Sequence, residues 1–140
     1  DYDAVALCNE VCYMARMKNE KTGIQIRFTS EVDSLSLHTD TTRLGHALLS
    51  TLTYPQEYEP EEQPEERIIY FTVSQNGGML QFRILNSPLA DENFTSQESI
   101  IRHEINQLLL AYFGGIYQVN AQGTEGSEIV FAYPIASESE

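Results

Sequence analysis

Positive charge is scarce in this chain. Its 140 residues hold 8 Lys and Arg against 21 Asp and Glu, a formal net charge of −13. A phosphate backbone is held by clustered Lys and Arg, and anionic headgroups repel a surface of this sign. Neither nucleic acid nor direct membrane contact is therefore expected of this segment. Cysteine is almost missing too. Cys8 and Cys12 stand four apart on an expected helix, a spacing that does not suit a structural disulfide, and no CxxC pair exists for zinc. They read as two small buried apolar residues in a reducing compartment. No apolar run approaches the ~20 residues of a bilayer-spanning helix, and no signal-peptide pattern opens the chain. G-x-S-x-G, Walker A and HExxH signatures are all absent. The chain starts without Met and in what reads as mid-helix, so it is expected to be a piece of a longer protein.

What is present describes a globular domain. Hydrophobic residues make up 41%, and the length suits one core. Residues 1–136 are expected to form a single domain, with 137–140 as a frayed tail. Glu57, Glu59, Glu61, Glu62, Glu65 and Glu66, interleaved with two prolines, read as a solvated loop.

Periodicity supplies the elements. Residues 3–18 carry Val5, Cys8, Val11, Cys12 and Ala15 on one helical face. Residues 23–30 alternate Ile24, Ile26 and Phe28 with polar residues, as a half-buried strand does, and 35–39 form a short second strand. The stretch Asp40–Pro55 places Leu44, Ala47, Leu48, Thr51 and Leu52 on one stripe, with Asp40 as N-cap and Pro55 as stop. Residues 67–75 and 79–86 are strands joined at Asn76-Gly77-Gly78. Residues 87–94 form an irregular loop. A third helix is opened by Thr95 with Glu98 as a capping box, buries Ile101, Ile105, Leu108, Leu109 and Tyr112, and stops at Gly114-Gly115. Residues 116–121 and 127–134 are the last strands. The pattern predicts an α+β fold: a two-layer α/β sandwich whose mixed, mainly antiparallel sheet is covered on one face by about three helices.

Order and motifs together resemble the catalytic, ATP-binding domain of sensor histidine kinases, within the GHKL ATPase superfamily, over nearly the whole chain. Asp40-Thr41-Thr42-Arg43-Leu44 is similar to the D-x-x-R-L that opens the family's first nucleotide-contacting helix. Leu108–Ile116, LLLAYFGGI, resembles its I-V-x-x-H-G-G-x-I, and Gly123–Pro134 its closing G-x-G-T-x-F-x-F-x-L-P strand. The resemblance implies a histidine-kinase ATPase-like fold and a nucleotide site, and here the sequence departs. Where the family helix has two Asn residues, the second a Mg²⁺ ligand, this chain has Ser50 and Tyr54. The D-x-G-x-G box, whose Asp takes the adenine amino group, aligns with Asn86-Ser87-Pro88-Leu89-Ala90. The third, glycine-rich box falls around Ser99-Ile100-Ile101-Arg102, and no glycine lies between Gly78 and Gly114. Tyr is bulky and a poor neutral ligand for a hard cation, and lost glycines remove close backbone approach. The resemblance with these departures implies a degenerate nucleotide site at Ser50, Tyr54, Asn86, Pro88 and Ile101, with no catalytic residue, no metal and no cofactor. Tyr54, Pro55 and Leu89 are expected to plug the cleft.

The expected function is that of a degenerate, pseudokinase domain from the cytoplasmic end of a two-component sensor, itself possible as a membrane-anchored protein. It would act through a partner kinase, a response regulator or its own upstream dimerisation helices, to which residues 3–18 would connect. The alternative is a working domain that binds ATP and Mg²⁺ through Asn86 and phosphorylates a histidine in a neighbouring domain. A third reading is a small-molecule sensor using the remodelled cleft. His103-Glu104-Ile105-Asn106 looks like a phosphoacceptor box, but no Pro or second long helix follows, so a solvent-facing pair is expected. His46 reads as a surface residue and His38 has no metal partner. Asn93-Phe94-Thr95 is a glycosylation sequon that matters only in a secreted protein. The eight tyrosines are expected to pack with hydroxyls at the surface.

Overall fold

The computed structural model describes residues 2–18, 24–33, 35–37, 40–53, 67–87, 97–122 and 126–134. In chain order these are β1 (Tyr2–Asp3), α1 (Ala4–Lys18), β2 (Ile24–Ser30), β3 (Ser36–Leu37), α2 (Thr41–Leu52), β4 (Arg67–Asn76), β5 (Met79–Leu85), α3 (Gln97–Tyr112), β6 (Ile116–Gln122) and β7 (Gly126–Pro134). The acidic run at 57–66, the loop beyond Ser87, the Thr95 cap, His38, Asn93 and the tail lie outside the described residues.

Five strands form one sheet in the order β2-β4-β5-β7-β6. β2 runs parallel to β4, and every other neighbour is antiparallel. This is the mixed, mainly antiparallel sheet of the expected α+β sandwich. Period-2 alternation explains its two faces. Ile69, Phe71 and Val73, then Leu80, Phe82 and Ile84, then Ile129, Phe131 and Tyr133 are buried on the helix side. The register sets Phe82 opposite Val73 and Phe131, and Tyr117 opposite Phe131. With Phe28 tilted against Phe71 at 5.3 Å between ring centroids, an aromatic row crosses all five strands. Each fully buried side chain of this size contributes roughly 1.5–3 kcal/mol of transfer free energy. On the far face Tyr70 and Arg83 are exposed, and Arg83 Nε donates to Glu128 Oε2 at 2.9 Å. Burial alone would raise the Glu128 pKa; hydrogen bonds from Arg83 and Asn120 and the charge of Arg83 outweigh it and lower the value.

Three boundaries differ from expectation. Of the strand expected over 35–39, Ser36–Leu37 is described and does not join the five-stranded sheet. Instead Ser36–Leu37 pairs antiparallel with Tyr2–Asp3. The chain therefore does not begin mid-helix: Asp3 caps α1, its carboxylate accepting from Ala6 N at 3.1 Å and Leu35 N at 2.7 Å. The hairpin turn sits at Gly77-Gly78, since Asn76 stays in β4 opposite Met79 and Gly77 takes φ 62°.

The helices cover the buried face of the sheet. α1 packs on α2 and β2, and α3 on α2 and β6. α1 buries Ala4, Leu7, Cys8, Val11, Cys12 and Ala15, while Val5 is only half-buried. α2 matches its sequence pattern: Asp40 Oδ1 accepts from Arg43 N at 3.1 Å, and Leu44, Ala47, Leu48, Thr51 and Leu52 are buried.

α3 corrects the expectation. Of the face assigned as buried, Ile101, Ile105, Leu108 and Tyr112 are 47, 56, 71 and 79% exposed. The buried stripe runs instead through half-buried Arg102 and His103 to Asn106 and Leu110, at 1 and 0%. The helix ends as expected. Gly114 takes φ 75°, Gly115 N donates to Leu110 O at 2.7 Å and Gly114 N to Ala111 O at 3.1 Å, a Schellman closure. At Gly115 an added Cβ would lie 2.3 Å from Ala132 O, so glycine is required there to seat the helix end on β7.

Candidate functional site

The last carbonyls of a helix have no partner within it. At the end of α2 they are taken by side chains from three parts of the chain. Thr53 Oγ1 donates to Leu49 O at 3.1 Å. Arg102 Nη1, from α3, donates to Ser50 O at 2.8 Å and to Thr53 O at 3.3 Å. Ser87 Oγ, just beyond β5, donates to Thr51 O at 2.5 Å. Ser87 and Thr51 are 1 and 0% exposed. The guanidinium also places positive charge at the negative end of the helix dipole. The three segments expected to surround a nucleotide are thus bonded directly to one another.

Two of the expected site residues, Ser50 and Asn86, flank these bonds without bonding each other. Ser50 is half-buried and its Oγ donates back to Ala47 O at 2.8 Å. Asn86, beside Ser87, adopts φ 67°, a left-handed conformation that Asn tolerates, and its Nδ2 donates to Ile68 O at 3.1 Å. Ile101 does not belong to the site: it is exposed, and its neighbour Arg102 turns toward α2 instead. Tyr54 and Pro88, like the plug formed with Pro55 and Leu89, lie outside the described residues. Sequence reasoning placed Thr51 in the α2 stripe and Ser87 and Arg102 within the aligned boxes without giving them a role, and passed over Thr53. One local sign pointed to them: Thr51 is a polar member of the apolar stripe of α2.

On the other flank of α3, His103 is not solvent-facing. It is half-buried, with Nδ1 2.6 Å from the Tyr117 hydroxyl on β6. Burial pushes the Tyr117 pKa up to about 12, against the opposing effect of the Asn106 amide. Among the described residues the Tyr133 hydroxyl is buried without a hydrogen-bond partner. Tyr133 thus departs from the expected surface hydroxyls, to which Tyr13, Tyr70 and Tyr112 conform. His46 is exposed, as expected. Cys8 and Cys12 are buried free thiols.

No family model and no curated protein match this chain. Its fold does match solved structures. The catalytic domain of histidine kinase ThkA, in a nucleotide-free form, superposes at a TM-score of 0.73 with 17% identity, covering 97% of this chain and 98% of that one. The mycobacterial sensor histidine kinase MprB gives 0.70 and 17%, covering 96% and 97%. ThkA in complex with the response regulator protein TrrA gives 0.68 and 17%, over 99% of this chain and 42% of that one. The chain has the fold of a histidine kinase catalytic domain.

Proposed function

We propose that this chain is a histidine-kinase-like signalling domain that has given up Mg-ATP and acts through protein contacts. The observation that carries the reading is the closure at the end of α2: Arg102 holds the carbonyls of Ser50 and Thr53 while Ser87 holds that of Thr51. Opening this region for a triphosphate means breaking bonds that satisfy buried carbonyls, at a cost of about 1–3 kcal/mol each.

The donor chemistry supports it. Ser50 brings a hydroxyl, already bonded to its own helix, where the resembled family has a carboxamide. Asn86 is uncharged where that family has a carboxylate, and its amide nitrogen is engaged by β4. A Mg²⁺ ion bridging phosphates needs small oxygen donors in near-octahedral array. Tyr54 in sequence adds a phenol. The described residues fit the metal-nucleotide poorly, and no phosphoryl-transfer step is derived for them.

By this reading the domain belongs to the cytoplasmic side of a two-component system, and its partner is a kinase, a response regulator or dimerisation helices of its own chain. One structural neighbour is a kinase bound to a response regulator, which makes that partner class the first to try. Calorimetric titration with Mg-ATP, with thermal shift alongside, tests the proposal. The expected result is no saturable heat and no stabilisation. Micromolar binding would overturn it and favour a working kinase domain. Tyr54→Asn with Asn86→Asp is not expected to restore binding, because the glycines are missing as well.

A further inference from the structure

The five-stranded sheet has two edges, β2 and β6. An edge strand presents unpaired N–H and C=O groups and can pair with another chain unless something guards it. β2 is guarded. Arg16 reaches across from α1, its Nη2 donating to Ile26 O at 2.9 Å, and exposed Arg27 puts a charge on the strand. β6 carries neither device. Its sequence, IYQVNAQ, holds no charged residue, no Pro and no Gly. Its ladder with β7 runs unbroken from Ile116↔Ala132 to Gln122↔Gly126, so no bulge twists this edge away. Ile116 and Val119 are 53 and 41% exposed.

The described surroundings of that edge are close to neutral. Glu128, on the neighbouring strand, is held within the sheet by Arg83 and Asn120. α3 packs over β6 and β7. Its Arg102, Ile105, Leu109 and Tyr112 turn toward α2, and Asn106 and Leu110 are buried. At 3.6 residues per turn, Ile100, Gln107 and Ala111 then form the flank above the β6 edge, and all three are exposed and uncharged. Glu104 stands on the solvent side of that flank.

We propose that β6 pairs antiparallel with β6 of a second copy, joining the two sheets into one. A chain of net charge −13 repels its own copies, so they can meet only along a neutral strip, and β6 with the α3 flank is such a strip. The register that pairs the whole of Ile116–Gln122 with itself is centred on Val119. It sets Val119 against Val119 on the helix side and Gln118 against Asn120 on the far side. Like thus meets like, apolar with apolar and amide with amide. Asn120 spends its Nδ2 on Glu128 at 3.0 Å, and its Oδ1 accepts from the Gln118 amide of the second copy. The helices fit as well. With strands about 4.8 Å apart, a helix seated between β6 and β7 lies about 5 Å from the two-fold axis, so the two α3 axes come about 10 Å apart, the separation of packed helices.

Sedimentation equilibrium of the whole chain tests the association. A concentration-dependent monomer–dimer equilibrium is expected, and it should tighten as salt is raised, because salt screens the repulsion between the copies. Val119→Lys sets two ammonium groups face to face and should weaken the dimer by about tenfold or more, with circular dichroism confirming an intact sheet. Thiols read the register. Cys8 and Cys12 are buried, so an introduced thiol is the reactive one. Val119→Cys places two thiols directly opposite, with Cβ atoms about 5 Å apart. Gln118→Cys places them about 8 Å apart, beyond disulfide reach. Diamide should cross-link the first variant at least about tenfold faster than the second. A monomer at every concentration, a dimer that weakens with salt or ignores Val119→Lys, or equal cross-linking of the two thiol variants would overturn the proposal. It does not rest on the loss of nucleotide binding: positive Mg-ATP binding would remove the proposed function and leave these outcomes unaffected.

Discussion

α2 and α3 lie side by side on one sheet and turn their apolar residues in opposite directions. In α2, Leu44, Leu48 and Leu52 are fully buried and the exposed positions are Thr42, Arg43 and His46. In α3, Ile101, Ile105, Leu108 and Tyr112 are exposed, while Arg102, His103 and Asn106 face the domain. The lesson is that a helix is oriented by what its neighbours can satisfy. α2 packs on α1 and α3 and buries its leucines, and its polar needs are confined to the carbonyls of its last turn. α3 lies against the open end of α2 and the Tyr117 hydroxyl, so its hydrogen-bonding side chains are drawn inward at the expense of its larger hydrophobics.

The first way to break this contrast is truncation. Leu48→Ala should lower the unfolding free energy by about 2–5 kcal/mol, whereas Leu108→Ala should stay within about 0.5 kcal/mol of the parent. Urea unfolding measures both, and equal losses would mean that α3 is packed the other way round. Next comes the polar tie. Arg102→Ala should cost about 1–3 kcal/mol, since two carbonyls lose their donor, and amide exchange of β-strand and helix protons near Ser50 should quicken. Arg102→Lys should recover only part, because one ammonium does not reproduce the planar fork. A neutral Arg102→Ala would deprive the polar side of the contrast of its energy.

Asp40→Ala should cost about 1 kcal/mol, the usual worth of an N-cap, and it checks that the start of α2 is as local a device as its sequence indicates. The smallest effect is in alkali. Burial raises Cys12 from 9.0 to about 11, against the lowering effect of Arg16, and raises Tyr117 from 10.0 to about 12, against Asn106. A raised folded-state pKa means the folded chain keeps its proton longer. The associated stability is intact below pH 9 and is lost as pH rises through about 11 for Cys12 and about 12 for Tyr117. Melting curves should fall across that window. Cys12→Ala should flatten its lower part and Tyr117→Phe its upper part, and an unchanged slope in Tyr117→Phe would place that hydroxyl in water rather than beneath α3.

These two helices also mark what can be read from one sequence. The start and stripe of α2 are encoded within thirteen residues, Asp40 to Leu52, and the Gly114 cap and the Phe71, Phe82 and Phe131 alternations are as local. For α3 the apolar residues at 100, 101, 105, 108, 109, 110 and 112 define more than one stripe, and periodicity cannot choose between them. The choice depends on partners at a distance. Arg102 reaches residues 52 and 49 positions away, and Ser87 reaches one 36 away. The site was legible to the same degree. Ser50 and Asn86 were named by register against a resembled family, while for Thr51, Ser87 and Arg102 the polar Thr51 in an apolar stripe was the one local sign, and their partners lie far along the chain.

The small ladder between β1 and β3 bears on how force would reach α1. Because Asp3 caps α1 and Tyr2 lies opposite Leu37 in extended geometry, the backbone enters α1 through a bend. A pull on the chain at Tyr2 would load two residue pairs of β-ladder first, and α1 would respond only as far as that clasp held.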